Sequence, residues 1–140
     1  METTRALEEY LKTIYILKRK GHKVVRVRDI AKKMNVKMSS VTDALKRLSR
    51  EDLVEYQKRE YVDLTKKGKR LAEKLYKRWT ILFFFFSEVL GVSKDIANDD
   101  ACKVEHTLSD QTINALKVFI SKNFKKEKTF NELELKVQRS

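Results

Sequence analysis

Between residues 29 and 64 the hydrophobic pattern runs through two helical segments and then switches to alternation, and few folds accommodate that order of elements. Residues 29–34 read as a short helix with Ile30, Ala31 and Met34 inward. Asn35 is suited to the left-handed conformation that ends a helix, and Val36 anchors the turn that follows. A second helix is expected from Ser39 or Ser40 to about Glu51, with Val41, Ala44, Leu45 and Leu48 as its buried stripe. Ser40-x-x-Asp43 has the form of a capping box at its start. Residues 53–57 and 61–64 then approximate alternation around the charged connection Lys58-Arg59-Glu60, which predicts a β-hairpin. Two helices joined by a tight turn and followed by a basic hairpin make a winged helix-turn-helix.

The flanking segments read as helix throughout. With no proline and only three glycines in 140 residues, the chain is poorly equipped for a turn-rich barrel or sandwich. Thr3 or Thr4 can cap a first helix that runs to about Lys20 and stops at Gly21, its apolar stripe being Leu7, Leu11, Ile14 and Leu17. Glu9 points away from that stripe. Thr65 and Gly68 open a long helix through Leu71, Leu75 and Trp79 to about Leu90. Within it, residues 81–86 are apolar on every side, which implies cover on every side, and in a short chain part of that cover is expected from a second subunit. Short helices are expected over residues 94–98 and 100–107, then a longer one over 109–124 with Ile113, Leu116, Ile120 and Phe124 inward. No element is assigned from Lys125 onward. The fold class is therefore mainly α: a winged helix-turn-helix over residues 1–73, then an all-helical domain over 74–140 suited to dimerisation and metal binding.

Charge narrows the class of partner. The net charge is +12, and residues 1–78 carry all of the excess, with 23 of the 32 basic and 11 of the 20 acidic residues. A one-sided positive field attracts a polyanion, and nucleic acid is the leading candidate. The longest apolar run is six residues, far short of the ~20 a membrane span needs. A single cysteine excludes a disulfide framework within the chain, and with no apolar leader at the N-terminus the expected location is the reducing cytoplasm.

The chemistry-bearing cluster is Cys102-x-x-Glu105-His106. On a helix these positions share one face and offer a thiolate, a carboxylate and an imidazole, each a ligand for divalent transition metals. Catalysis by a Cys–His pair is not the reading, because nothing nearby supplies an orienting group or an oxyanion hole; no enzyme activity is expected.

Several segments resemble one family. Leu7-Glu8-Glu9-Tyr10-Leu11-Lys12-Thr13-Ile14-Tyr15 is similar to the opening helix of metal-dependent repressors of the diphtheria-toxin-repressor and manganese-transport-regulator type. Asp29-Ile30-Ala31, Ser39-Ser40-Val41-Thr42 and Leu64-Thr65-x-x-Gly68 resemble its DNA-reading domain, and residues 100–110 resemble the metal helix of its iron-responsive branch. The resemblance runs in order from residue 7 to about 110 and implies a primary metal site of Glu9, Cys102, Glu105 and His106. Glutamate at position 9 differs from the methionine of iron-type relatives and the aspartate of manganese-type ones, whereas Cys102 follows the iron branch. Positions that hold a second metal in the family are here Trp79, Phe83 and Asn98, and a further carboxylate position is Lys12, so one ion per subunit is implied. The soft sulfur favours Fe(II) over Mn(II) and also suits Co(II), Ni(II) or Zn(II) in vitro.

The implied protein is a homodimeric, metal-dependent repressor of metal-homeostasis genes, bound to a double-stranded operator with two half-sites. Ser39, Ser40, Thr42, Asp43 and Lys46 are the candidate base-reading residues, and Arg26, Arg28, Arg47, Lys58 and Arg59 the candidate phosphate or minor-groove contacts. The rival readings are a metal-independent winged-helix regulator that senses a small molecule or oxidation of Cys102, and a general chromatin binder acting by charge alone.

Overall fold

The computed structural model describes residues 4–57 and 61–124, and Lys58, Arg59 and the tail from Lys125 lie outside the described residues. These form two compact units that divide between Tyr76 and Lys77, within a helix that begins in the first and ends in the second.

The first unit follows the expected order. Helix α1 (Arg5–Arg19) starts at Thr4, whose hydroxyl accepts the Leu7 N–H at 3.2 Å, and stops where Gly21 takes a φ of 98°. Its burial is broader than the predicted stripe: Tyr10, Lys12, Thr13 and Tyr15 are buried along with Leu7, Leu11, Ile14 and Leu17. Val25 forms an isolated bridge to Val62, so the segment that follows α1 is stitched to the hairpin. Helix α2 (Val27–Met34) begins two residues before the expected start, because the Asp29 carboxylate accepts the Arg26 backbone N–H at 2.9 Å and closes the first turn there. It ends on Asn35 at φ 56°, the left-handed terminator the sequence predicts.

Helix α3 (Met38–Arg50) also begins early, on Lys37 as N-cap and with no side-chain cap. The Ser40–Asp43 capping box therefore does not form, since Ser40 already lies inside the helix. The inward stripe is as predicted: Val41, Ala44, Leu45 and Leu48 are buried. Strands β1 (Val54–Tyr56) and β2 (Val62–Leu64) pair antiparallel with Glu55 opposite Asp63. The Thr65 hydroxyl accepts the Gly68 N–H at 3.0 Å and donates to the Asp52 carbonyl at 2.7 Å, so one side chain caps α4 (Lys66–Phe84) and ties it to the turn after α3. Gly68 allows this approach: a β-carbon there would lie 1.8 Å from the Leu53 carbonyl oxygen.

In the second unit α4 gives way to a π-helical turn (Phe85–Val89) rather than continuing as α-helix to Leu90. Ile81, Leu82, Phe83 and Phe84 are buried within this one chain, and only Phe85 and Phe86 remain partly exposed. Among the described residues of this unit, the exposed large apolar side chains are Leu90, Ile96, Val118 and Phe119. Phe85 meets Phe119 edge-on at 6.3 Å, and Phe84 meets Phe124 in the same manner at 5.6 Å. The two short helices expected between residues 94 and 107 are one, α5 (Lys94–Val104). Helix α6 (Asp110–Asn123) is capped by Ser109, with Ile113 and Ile120 buried and Leu116 half-buried.

Candidate metal centre and nucleic-acid interface

The outer face of α3 is polar and open. Ser39, Ser40, Asp43, Lys46 and Arg47 are exposed, as a helix that reads base edges requires. Thr42 differs: it is half-buried, and its hydroxyl donates to the Met38 carbonyl at 3.1 Å on its own helix. Arg26 and Arg28 are exposed around the start of α2. Met38, which the sequence reading passed over, is an exposed apolar side chain on the first turn of α3. Burial, then the neighbouring Lys20 ammonium, hold the Lys33 amine below the ordinary lysine range.

The metal-ligating candidates of the second unit are divided between a helix and the turn that follows it. Cys102 lies in the last turns of α5, Glu105 is its C-cap, and His106 comes just after. One continuous helix carrying all three was expected, and the correction has a physical cause. The Arg78 guanidinium, 7 % exposed, donates from Nε to the Glu105 carbonyl at 2.8 Å and from Nη1 to the Asp110 carboxylate at 2.9 Å. It also donates to the Leu108 carbonyl. A planar fork that takes these carbonyls replaces the helical partners they would otherwise have, and the helix ends. Arg78 carried no signal in the sequence pattern, because its partners are about thirty residues away.

The result is a fully buried Glu105 carboxylate with His106 Nε2 at 3.2 Å from its Oε1. The Cys102 thiol is half-buried and contacts Asn98 Oδ1 at 3.7 Å, one turn back along α5. Trp79 and Phe83 are buried and stacked at 5.2 Å, so these positions pack as an aromatic pair. In the first unit, half-buried Glu9 accepts from the buried Lys12 ammonium at 3.2 Å. The spacing of three residues on one helix announces that pair, although the sequence reading treated Lys12 only as a lost carboxylate.

Arg78 should matter more to stability than its surface partner. Arg78→Ala leaves two buried carbonyls without their charged donor and should cost about 3 kcal/mol. Asp110→Asn keeps a polar acceptor at a side chain 68 % exposed and should cost under about 1 kcal/mol. The denaturant midpoints of the two variants check the contrast.

A basic winged helix, followed by a helical unit that carries a buried carboxylate–imidazole pair just after a cysteine-bearing helix end, defines a DNA-binding regulator with a metal-ligating domain. Residues 2–62 match the family model described as iron dependent repressor, N-terminal DNA binding domain, and residues 65–127 match the iron dependent repressor, metal binding and dimerisation domain. The chain is 34 % identical over 119 residues to an HTH-type transcriptional regulator of Methanocaldococcus jannaschii, covering 85 % of this chain and 95 % of that one. It is 34 % identical to the HTH-type transcriptional regulator MntR of Bacillus subtilis, covering 81 % of this chain and 79 % of the other. Among solved structures, the manganese regulator SloR superposes with a TM-score of 0.72 at 35 % identity, over 86 % of this chain and 55 % of that chain. The IdeR of T. acidophilum superposes with a TM-score of 0.64 at 27 % identity, over 83 % and 53 %. This chain thus spans about half the length of these two solved chains. It belongs to the iron-dependent repressor family, whose members are transcriptional regulators and not enzymes. Among the described residues, no helix is long and apolar enough to cross a membrane.

Proposed function

We propose that this protein is a homodimeric repressor that binds its operator when each subunit holds one divalent transition ion on Glu9, Cys102, Glu105 and His106. The observation that carries the reading is the buried Glu105 carboxylate packed against His106, with Cys102 three residues earlier. A thiolate, a carboxylate and an imidazole together suit a borderline cation. The sulfur favours Fe(II) over Mn(II), and the stacked Trp79 and Phe83 favour a single ion per subunit. The bound ion supplies a positive charge and a set of coordination bonds that free side chains lack.

The protein's own residues do the rest. Cys102, Glu105 and His106 belong to the pairing half and Glu9 to the DNA-reading half. Their joint ligation restrains the spacing of two winged helices to that of half-sites about one helical turn of DNA apart. The ion then acts through its differential affinity for the DNA-competent arrangement, and operator DNA must tighten ion binding by the same factor. Ser39, Ser40, Asp43 and Lys46 would face base edges, while Arg26, Arg28 and Arg47 hold phosphates. The place of action is the cytoplasm, with the DNA.

The test is selection from a random duplex pool with and without Co(II), followed by anisotropy on the selected sequence. Binding should require metal and vanish with a chelator. A response to peroxide without metal, or to neither, would overturn the reading. Each of Arg26→Ala, Arg28→Ala and Arg47→Ala should lower the log–log salt slope by ~0.9 if it removes one phosphate contact.

A further inference from the structure

The proposed ligand on α1 already has a cation. Lys12 Nζ is 3.2 Å from Glu9 Oε1, with the lysine side chain 5 % exposed and the glutamate 27 %. Both residues belong to one helix, three positions apart, a spacing at which opposite charges meet. Long surface lysines fray into solvent, whereas this ammonium has been drawn out of water and is held by charge.

We infer that Lys12 is a tethered competitor for Glu9, which holds the carboxylate in the metal-free protein and thereby sets the metal concentration at which the sensor responds. The inference rests on the reading of Glu9 as a ligand. A carboxylate that turns its charge to a divalent ion weakens its hold on a buried ammonium, and the ammonium is left close to a second positive charge. Both effects oppose ion binding, so the lysine raises the threshold. A residue that merely oriented Glu9 would do the reverse, because its removal would loosen the site.

Co(II) affinity, measured under reducing conditions by competition with a chromophoric chelator, distinguishes these roles. Lys12→Met keeps the length of the side chain and removes the charge, and it should bind Co(II) at least about tenfold more tightly than the parent. Lys12→Arg retains the charge and should stay close to the parent. Lys12→Gln, another uncharged replacement, gives a second measurement should the methionine variant fold poorly. In a Glu9→Gln background the gain from Lys12→Met should largely disappear, because the lysine acts through that carboxylate. Unchanged or weaker binding by both uncharged variants would overturn the inference, as would an equal gain with and without Glu9. Glu9→Gln with parental Co(II) affinity and parental metal-dependent DNA binding would instead overturn the reading of Glu9 itself.

Discussion

Cys102→Ala should lower the affinity for a divalent transition ion by more than about a hundredfold, whereas Glu9→Ala should keep measurable binding and lose most metal-dependent DNA affinity. The asymmetry follows from where the ligands lie. Cys102, Glu105 and His106 fall within one helix end and the turn after it, and Arg78 fixes that turn through the Glu105 and Leu108 carbonyls. Removing the sulfur strips the softest donor from this local group. Removing the Glu9 carboxylate leaves the group intact but takes away the proposed ligand on α1 of the winged-helix unit. Isothermal titration with Co(II), beside anisotropy on operator DNA, reads the two quantities separately. A Glu9→Ala protein that answers metal with parental DNA binding would show that the signal does not pass through Glu9.

Gly68→Ala should destabilise the first unit by about 3 kcal/mol or more, a severe effect for a single methyl group. The added β-carbon would lie 1.8 Å from the Leu53 carbonyl oxygen and 2.8 Å from its carbon. Those are backbone atoms, and the same oxygen accepts the Thr65 N–H at 3.1 Å, so it cannot yield without breaking the cap of α4. Gly21→Ala is the control. Its φ of 98° strains any side chain, yet nothing lies within 4 Å of the new atom, so a loss near 1 kcal/mol is expected. Urea midpoints at unchanged m-value test both figures. Equal midpoints for the two variants would mean that α4 and the turn at Leu53 can separate without loss.

Much of the architecture was legible in the residues because it depends on short-range pattern. The αL turn at Asn35, the stripe Val41–Ala44–Leu45–Leu48 and the two flanks of the hairpin each express a period or a preference confined to a few neighbouring residues. The starts of α2 and α3 were misplaced by a residue or two, because a capping bond depends on which side chain the turn actually presents.

The candidate site divides along the same line. Residue type determined by itself that one short stretch of chain carries the metal-ligating chemistry of Cys102, Glu105 and His106, and that positive charge gathers in the DNA-reading half. Only the tertiary structure decided that α5 ends at Val104, since the guanidinium that ends it arrives from Arg78 on another helix. Burial was settled there as well. Four residues of the 81–86 run are covered by their own chain, and among the described residues of that unit Leu90, Ile96, Val118 and Phe119 are left exposed. Hydrophobicity along a chain states which side chains need cover. What covers them depends on contacts between residues far apart in sequence, and no local period encodes those contacts.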